Sequence, residues 1–146
     1  MEQSRELELW LASTEGNLQD VKNLLSEPTV SVNWVPGDQD SNKGDSPFHR
    51  ACRFGHLSIV KEFVSCPRVE LNKGNDGRSS PFYIACQEGH RDVVEFLLGY
   101  QDINVNHENF QSCTPLLFAC QQGHKDVVLL LLLDHRVDCN KVQHTN

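Results

Sequence analysis

The chain has 146 residues, of which 38% are hydrophobic and 23% are charged, a composition typical of a folded protein and not of a disordered segment. Its formal net charge of −7 argues against binding to nucleic acid or to an anionic membrane, because both depend on clustered Lys and Arg, and it favours a partner with a basic patch. The six cysteines include no Cys-x-x-Cys pair, so the usual zinc and redox spacings are missing.

No stretch of the sequence predicts a signal peptide or a membrane-spanning helix. The N-terminal segment from Met1 to Glu8 lacks the apolar core of a signal peptide. The longest apolar run, from Val127 to Leu133, has seven residues, whereas a spanning helix needs about 20. We therefore expect an intracellular protein located in the cytoplasm, with the nucleus as the alternative.

The predicted elements form four successive helix–turn–helix units, and the first covers about residues 4–40. Charged side chains surround its first helix, as expected of an N-terminal cap: Glu2, Arg5, Glu6 and Glu8. Its small and apolar residues recur 39 positions later, so that Ala12, Gly16, Val21 and Asn33 align with Ala51, Gly55, Val60 and Asn72. A polar loop insertion between Trp34 and Lys43 explains the longer step.

The next three units cover residues 41–74, 75–108 and 109–146 and repeat with a period of 34 residues. The positions that keep this period are Pro47, Pro81 and Pro115; Ala51, Ala85 and Ala119; Cys52, Cys86 and Cys120; Val60, Val94 and Val128; and Asn72, Asn106 and Asn140. Such a pattern indicates stacked repeats, in which each unit buries its apolar side against its neighbours.

Each of these units reads as a first helix, a tight turn, a second helix and an extended loop. A hydroxyl residue followed by proline marks the start of the first helix, as in Ser46-Pro47, Ser80-Pro81 and Thr114-Pro115. A glycine marks its end, at Gly55, Gly89 and Gly123. The second helix carries an apolar stripe at helical spacing, such as Ile59, Val60, Phe63 and Val64.

The segment Ser-Pro-Phe-His-Arg-Ala-Cys-Arg-Phe-Gly-His at 46–56 is similar to the Thr-Pro-Leu-His-x-Ala-Ala-x-x-Gly-His core of ankyrin repeats. Thr114-Pro115-Leu116 and Val137-Asp138-x-Asn140 resemble the same pattern. The resemblance implies one all-α domain, residues 1–146, built as an ankyrin-repeat solenoid of helix–turn–helix units joined by β-hairpin-like fingers. The finger glycine is Gly44 in unit 2, but Arg78 and Ser112 replace it later, which leaves the conformation of those fingers open.

Two sets of residues that recur once per unit invite a chemical role, but packing explains them better. Cys52, Cys86 and Cys120 are too far apart for disulfides if they lie on helices packed about 8–10 Å apart, so we expect small buried hydrophobes. His56, His90 and His124 cannot converge on one metal ion at that spacing, and we expect them to cap the second helices, because Asn17 stands at the same place in unit 1.

No catalytic motif is present: the sequence lacks the serine-hydrolase elbow, the zinc-protease pair, the phosphate-binding loop and the dinucleotide fingerprint. We therefore predict no enzymatic activity, no cofactor and no metal. The resemblance implies a scaffold or adaptor that binds a protein or peptide on its concave face. Two alternatives remain: a targeting module of a larger signalling or ubiquitin-ligase-type assembly, and an enzyme or metal protein hidden in the array.

The resemblance also implies which residues form that concave face, namely the finger tips and the exposed end of each first helix. Mapped by position, they are Trp34, Asn42, Lys43, Arg53, Phe54, Asp76, Gly77, Gln87, Glu88, Phe110, Gln111, Gln121 and Gln122. Trp34, Phe54 and Phe110 are the predicted hot spots, because aromatic side chains dominate binding energy at such surfaces. The alternative is that each ring folds back on its neighbour.

A second surface is predicted on the last unit. The outward positions of the second helices are polar in units 1 and 2, but in unit 4 they are Leu129 and Leu133. We expect this C-terminal end to be covered by a partner, a second copy or a further repeat. By resemblance alone, Asn72, Asn106 and Asn140 are also candidate substrates for asparagine hydroxylation, although bracing of the turn backbone explains them as well.

Overall fold

The computed structural model describes residues 4–37 and 44–141 and contains eight α-helices within these ranges. They are α1 (Arg5–Glu15), α2 (Leu18–Ser26), α3 (Pro47–Arg53), α4 (Leu57–Ser65), α5 (Pro81–Glu88), α6 (Arg91–Leu98), α7 (Pro115–Gln122) and α8 (Lys125–Leu133). No strand occurs in the described ranges, and the all-α prediction is confirmed. None of these helices is both long and apolar enough to cross a membrane. Glu2, Asn42 and Lys43 lie outside the described residues.

The helix starts follow the chemistry that the sequence predicted. The hydroxyl groups of Ser46, Ser80 and Thr114 each accept a hydrogen bond from the backbone N–H three residues later. Proline occupies the first helical position each time, where its missing N–H costs nothing. In α3 the side chain of His49 completes the cap, because its Nδ1 accepts from the backbone N–H of Ser46 at 3.2 Å.

The helices stack in two layers along the chain. The first helices α1, α3, α5 and α7 pack side by side, and the second helices α2, α4, α6 and α8 form the other layer. The core between them repeats from unit to unit and includes Phe48 and Phe82 from the first helices and Val21, Val60 and Val94 from the second. Each such side chain contributes about 1.5–3 kcal/mol when it is fully buried.

An asparagine at the end of each unit ties it to the next. The carboxamide of Asn33 donates to the Arg68 carbonyl at 2.8 Å and accepts from the Glu70 N–H at 2.9 Å. Asn72 and Asn106 make the same pair of bonds one unit later each, at 2.6 and 2.7 Å and at 2.7 and 2.8 Å. These asparagines therefore brace the loop of the following unit.

The histidines after the glycine turns do not cap the second helices, so that prediction is wrong. His56, His90 and His124 stand at the N-cap positions, but their side chains make no cap hydrogen bond. Their Nε2–H groups instead donate to carbonyl oxygens of the preceding unit: those of Thr14 at 3.0 Å, Arg53 at 2.7 Å and Gln87 at 2.8 Å. In unit 1 Asn17 is a true cap, since its Oδ1 accepts from the Asp20 N–H.

Each of these rings lies against the glycine of the preceding unit. A Cβ built on Gly16, Gly55 or Gly89 would lie 2.9, 2.6 or 2.6 Å from the ring of the next unit's histidine. These glycines also have φ of +84°, +70° and +76°, which side-chain-bearing residues rarely adopt. Glycine is therefore required here both for the turn and for the contact between units.

Of the three cysteines that recur once per unit, only Cys52 and Cys86 are buried between the units. Cys52 and Cys86 are fully buried, and burial raises the pKa of both thiols. Cys120 is exposed, so the expectation of a buried hydrophobe is wrong at that position. The reason is that units 3 and 4 cover Cys52 and Cys86, whereas no described element packs on the outer side of unit 4.

Candidate functional site

The loops between units fold as two fingers with the same geometry. In the first, the Asn75 N–H donates to the Ser79 carbonyl at 3.0 Å, and the Arg78 N–H donates to the Asn75 carbonyl at 2.8 Å. In the second, Asn109 bonds with Cys113 and Ser112 in the same way, at 3.1 and 3.0 Å.

The backbone angles show which conformation the fingers adopt where Arg78 and Ser112 replace the finger glycine. Arg78 has φ +59° and Ser112 has φ +56°, close to the +77° of Gly44. The carboxamide of Asn75 offsets the strain by accepting from the N–H groups of Gly77 and Ser79, both at 3.0 Å. Both fingers therefore keep the hairpin-like turn without a glycine at this position.

The fingers are fastened to one another and to the first helices. The Phe110 N–H donates to the Gly77 carbonyl at 2.9 Å, which joins the two finger tips. The Asn109 carboxamide donates to the hydroxyl of Tyr83 on α5 at 3.1 Å. The fingers therefore form a row of fixed backbone, and the first helices form the opposite wall.

A cleft of about 410 Å³, here called the finger groove, lies between these fingers and the helices α3, α5 and α7. Its lining consists of Arg53, Asn75, Gly77, Ser79, Ile84, Gln87, Asn109, Phe110, Gln111 and Phe118. The apolar part is formed by the rings of Phe110 and Phe118 above the buried Ile84. The polar part is dominated by carboxamides, which both donate and accept hydrogen bonds. Such a surface suits a polypeptide, because its backbone offers both kinds of group.

The charged group of the finger groove is already neutralised. Arg53 donates to the buried carboxylate of Asp45 at 2.7 Å and to Glu88 at 3.2 Å. This cluster carries one positive and two negative charges, a net charge of −1. Arg53 is therefore a structural cation, and the cluster as a whole is negative at the edge of the groove.

A histidine beneath the fingers stays neutral. The Nε2–H of His49 donates to the Ser79 carbonyl at 3.0 Å, while its Nδ1 accepts from the Ser46 N–H. Burial lowers the pKa of His49 to about 4, because a charged imidazole would lose its water shell. His49 therefore links α3 to the first finger as an uncharged side chain.

The structure brings five of the predicted binding residues together in the finger groove: Arg53, Gly77, Gln87, Phe110 and Gln111. Phe110 has the most exposed aromatic ring of the predicted hot spots, at 65%. The 45% exposed ring of Phe54 lies outside the groove, with the Arg50 guanidinium 4.7 Å from its centre, which agrees with the alternative of folding back. Trp34 is half-buried and also lies outside it.

Among the other predicted residues that the structure describes, four are exposed but do not line the groove: Asp76, Glu88, Gln121 and Gln122. Asp76 sits on the backbone of Gly44 in the neighbouring loop, and Gln121 and Gln122 are exposed at the end of α7. Sequence reasoning missed Ile84 and Phe118, which hold equivalent positions on α5 and α7. A signal for them was present in the sequence: units 3 and 4 have an apolar residue at this position of the first helix, whereas unit 2 has the charged Arg50.

The predicted C-terminal patch is exposed as a continuous apolar surface. Leu129 is 64% and Leu133 is 85% exposed, and the neighbouring Leu132 is 51% exposed. Over residues 4–37 and 44–141 no group of three or more His, Cys, Asp or Glu is arranged to hold a metal ion.

Comparison with protein families identifies a match. A family model described as "Ankyrin repeats (3 copies)" matches residues 9–109 and again residues 71–143. No curated protein matches the chain. The two matched ranges overlap and together include all of the second, third and fourth helix pairs.

Proposed function

Since this chain belongs to the ankyrin-repeat family, whose members are generally protein-interaction modules without catalytic activity, we propose that it is a scaffold that binds a protein or peptide partner in its finger groove. In support of this proposal, the groove is lined by five of the residues that the sequence assigned to a concave face: Arg53, Gly77, Gln87, Phe110 and Gln111. The partner takes an extended segment into the cleft, with an apolar side chain between Phe110 and Phe118.

The observation that carries this proposal is the state of Phe110. Its ring is 65% exposed, although its backbone is fixed by the hydrogen bond to Gly77. Burial of a phenylalanine against a partner contributes about 1.5–3 kcal/mol. Little of this is lost to ordering, because the finger is already held in place before binding.

The charge of the groove supports the choice of partner. Arg53 is paired with the carboxylates of Asp45 and Glu88, so this cluster at the edge of the groove has a net charge of −1. The whole chain carries a net charge of −7, so a partner with a basic patch is steered towards it and a strongly acidic one is repelled. Binding therefore weakens as the salt concentration rises.

Affinity capture with matched variants tests the proposal. We expect Phe110→Ala to lose the main partner, and Trp34→Ala to keep it, because Trp34 lies outside the groove. Partners are identified by mass spectrometry, and the purified main partner is then titrated against each variant. A partner that binds Phe110→Ala and Gln87→Ala as tightly as the parent chain would show that binding occurs elsewhere.

A further inference from the structure

An arginine closes the joint between units 1 and 2. Arg68 donates to the carbonyls of Leu25 at 2.7 Å and Val30 at 2.8 Å, which lie in the last turn of α2 and in the loop that follows it. The C-terminal end of a helix leaves carbonyls without a partner and carries about half a negative charge. A guanidinium group therefore stabilises this end and fastens the next unit to it.

The equivalent arginine closes the joint between units 3 and 4. Arg136 donates to the carbonyls of Leu98 at 2.6 Å and Tyr100 at 3.0 Å, at the end of α6. Its Nη2 also lies 2.7 Å from the carboxylate of Asp134. The guanidinium group is thus held by two carbonyls and one carboxylate.

At the joint between units 2 and 3 the residue in this position is Asp102. Its carbonyl accepts from the carboxamide of Asn72 at 2.6 Å. The carbonyls of Arg68 and Arg136 accept the same bond from the asparagine of the preceding unit. The backbone of Asp102 is therefore fixed in the same place as in the other joints, but a carboxylate replaces the guanidinium group.

The end of α4 keeps the acceptors that the other joints use. Val64 is the counterpart of Leu98, and Cys66 is the counterpart of Tyr100. Within residues 4–37 and 44–141, no side chain donates to either of these two carbonyls, and the Asp102 carboxylate has no hydrogen bond or ion pair. Asp102 is exposed, and Val64 and Cys66 are half-buried. We call these two carbonyls and the Asp102 carboxylate the α4 notch.

We propose that the α4 notch binds an arginine side chain of a protein partner. The guanidinium group donates to the carbonyls of Val64 and Cys66 and pairs with the carboxylate of Asp102, by charge-assisted hydrogen bonds. This set of two carbonyls and one carboxylate is the one that holds Arg136 within the chain. The net charge of −7 steers a basic partner towards it.

The geometry favours arginine over other cations. Arg136 reaches its two carbonyls with separate nitrogens, Nη1 and Nη2, which a planar guanidinium group holds at a fixed spacing. A lysine ammonium is a single point charge and does not span both acceptors in this way. A calcium ion takes about six to eight oxygen ligands, more than two carbonyls and one carboxylate supply.

The α4 notch is separate from the finger groove and shares no residue with it. It lies at the end of a second helix, whereas first helices and fingers form the groove. Described units flank it on both sides, since unit 1 precedes unit 2 and unit 4 follows unit 3. The proposal is therefore independent of binding at Phe110.

Filling the notch from within the chain tests whether it holds a guanidinium group. Asp102→Arg restores the residue of the other joints, and Asp102→Lys makes the same change in charge without the planar fork. We expect the midpoint of thermal unfolding to rise by at least about 3 °C for Asp102→Arg, as for one added charge-assisted hydrogen bond in a chain of this length, and by less than half as much for Asp102→Lys. Equal midpoints for the two variants would overturn the proposal.

Binding of a separate molecule is tested with acetyl-arginine methylamide and the isotope-labelled full chain. We expect nuclear magnetic resonance shifts at the amides of Cys66, Asp102 and Ile103, with a dissociation constant on the order of 10 mM for a single arginine. Asp102→Arg should abolish these shifts, and Asp102→Asn should weaken binding at least threefold. Glu15→Gln is the matched control and should leave binding unchanged, because Glu15 is an exposed carboxylate without a bonded partner among the described residues.

Three results would contradict the proposal. The arginine derivative could give no shifts at the notch, acetyl-lysine methylamide could bind as tightly as the arginine derivative, or calcium chloride alone could reproduce the shifts. The second result would indicate general attraction by negative charge, and the third would assign the notch to a metal ion. None of these results bears on binding in the finger groove, which Phe110→Ala tests separately.

Discussion

Replacement of His90 distinguishes its contact between units from a helix cap. In the structure its ring donates to the Arg53 carbonyl at 2.7 Å and packs on Gly55, but makes no cap hydrogen bond. His90→Ala removes one hydrogen bond, leaves a half-buried carbonyl without that donor and opens a gap beside the glycine. Removal of one partner that leaves a buried acceptor unsatisfied costs about 1–3 kcal/mol, so we expect the free energy of unfolding to fall by about that amount.

The informative variant is His90→Asn. Asparagine is among the best N-cap residues, and a good cap contributes about 0.5–2 kcal/mol. If His90 acted as a cap, the His90→Asn chain would therefore be at least as stable as the parent chain. Because its side chain is too short to reach the preceding unit, we expect stability to stay about 1–2 kcal/mol below that of the parent. Urea unfolding followed by circular dichroism measures this difference, and His135→Ala, at an exposed histidine, is the control with a change below about 0.5 kcal/mol. A His90→Asn chain as stable as the parent would refute the reasoning.

Three further predictions concern single side chains. The pKa of His49 is lowered to about 4 in the folded chain, below the ordinary value of 6.5, so the unfolded chain binds a proton first as the pH falls. The free energy of unfolding is therefore highest above about pH 6.5 and falls by up to about 3 kcal/mol as the pH drops to 4. We expect His49→Gln to remove this loss from the pH profile of unfolding. Arg136 donates to the carbonyls of Leu98 at 2.6 Å and Tyr100 at 3.0 Å, so Arg136→Ala should lower the free energy of unfolding by about 1.5–3 kcal/mol, and recovery by Arg136→Lys in urea titrations would contradict this fork geometry. Gly55→Ala combines a left-handed backbone with a Cβ 2.6 Å from the next histidine ring, so we expect more than about 1 kcal/mol of destabilisation by thermal unfolding, and a neutral result would contradict it.

The helix pairs could be predicted because their signals are local. Ser46 and Pro47 mark the start of α3 and Gly55 marks its end, so all of these signals lie within ten residues. The apolar spacing of the second helices depends only on the helical period. In both cases the interacting groups are neighbours along the chain, and side-chain chemistry is enough to place them.

The role of the histidines could not be predicted in this way. His90 stands where a cap residue is expected, and its acceptor is a carbonyl 37 residues earlier in the chain. The contact exists only because stacking brings Gly55 and Arg53 against the turn of the next unit. The finger groove depends on the same stacking, since Phe110 and Phe118 meet Arg53 only when units 2, 3 and 4 lie side by side.

The sequence by itself therefore determined the number of helix pairs, the hydroxyl caps of the first helices in units 2 to 4 and the direction in which the apolar sides face, because these properties arise from interactions within about four residues. Only the tertiary structure decided which glycine receives which histidine, which aromatic rings share a groove and that Cys120 is exposed while Cys86 is buried. The physical reason is that equivalent residues have nearly the same local surroundings in every unit. Their burial and their partners differ only through the neighbouring unit, which the local pattern does not contain.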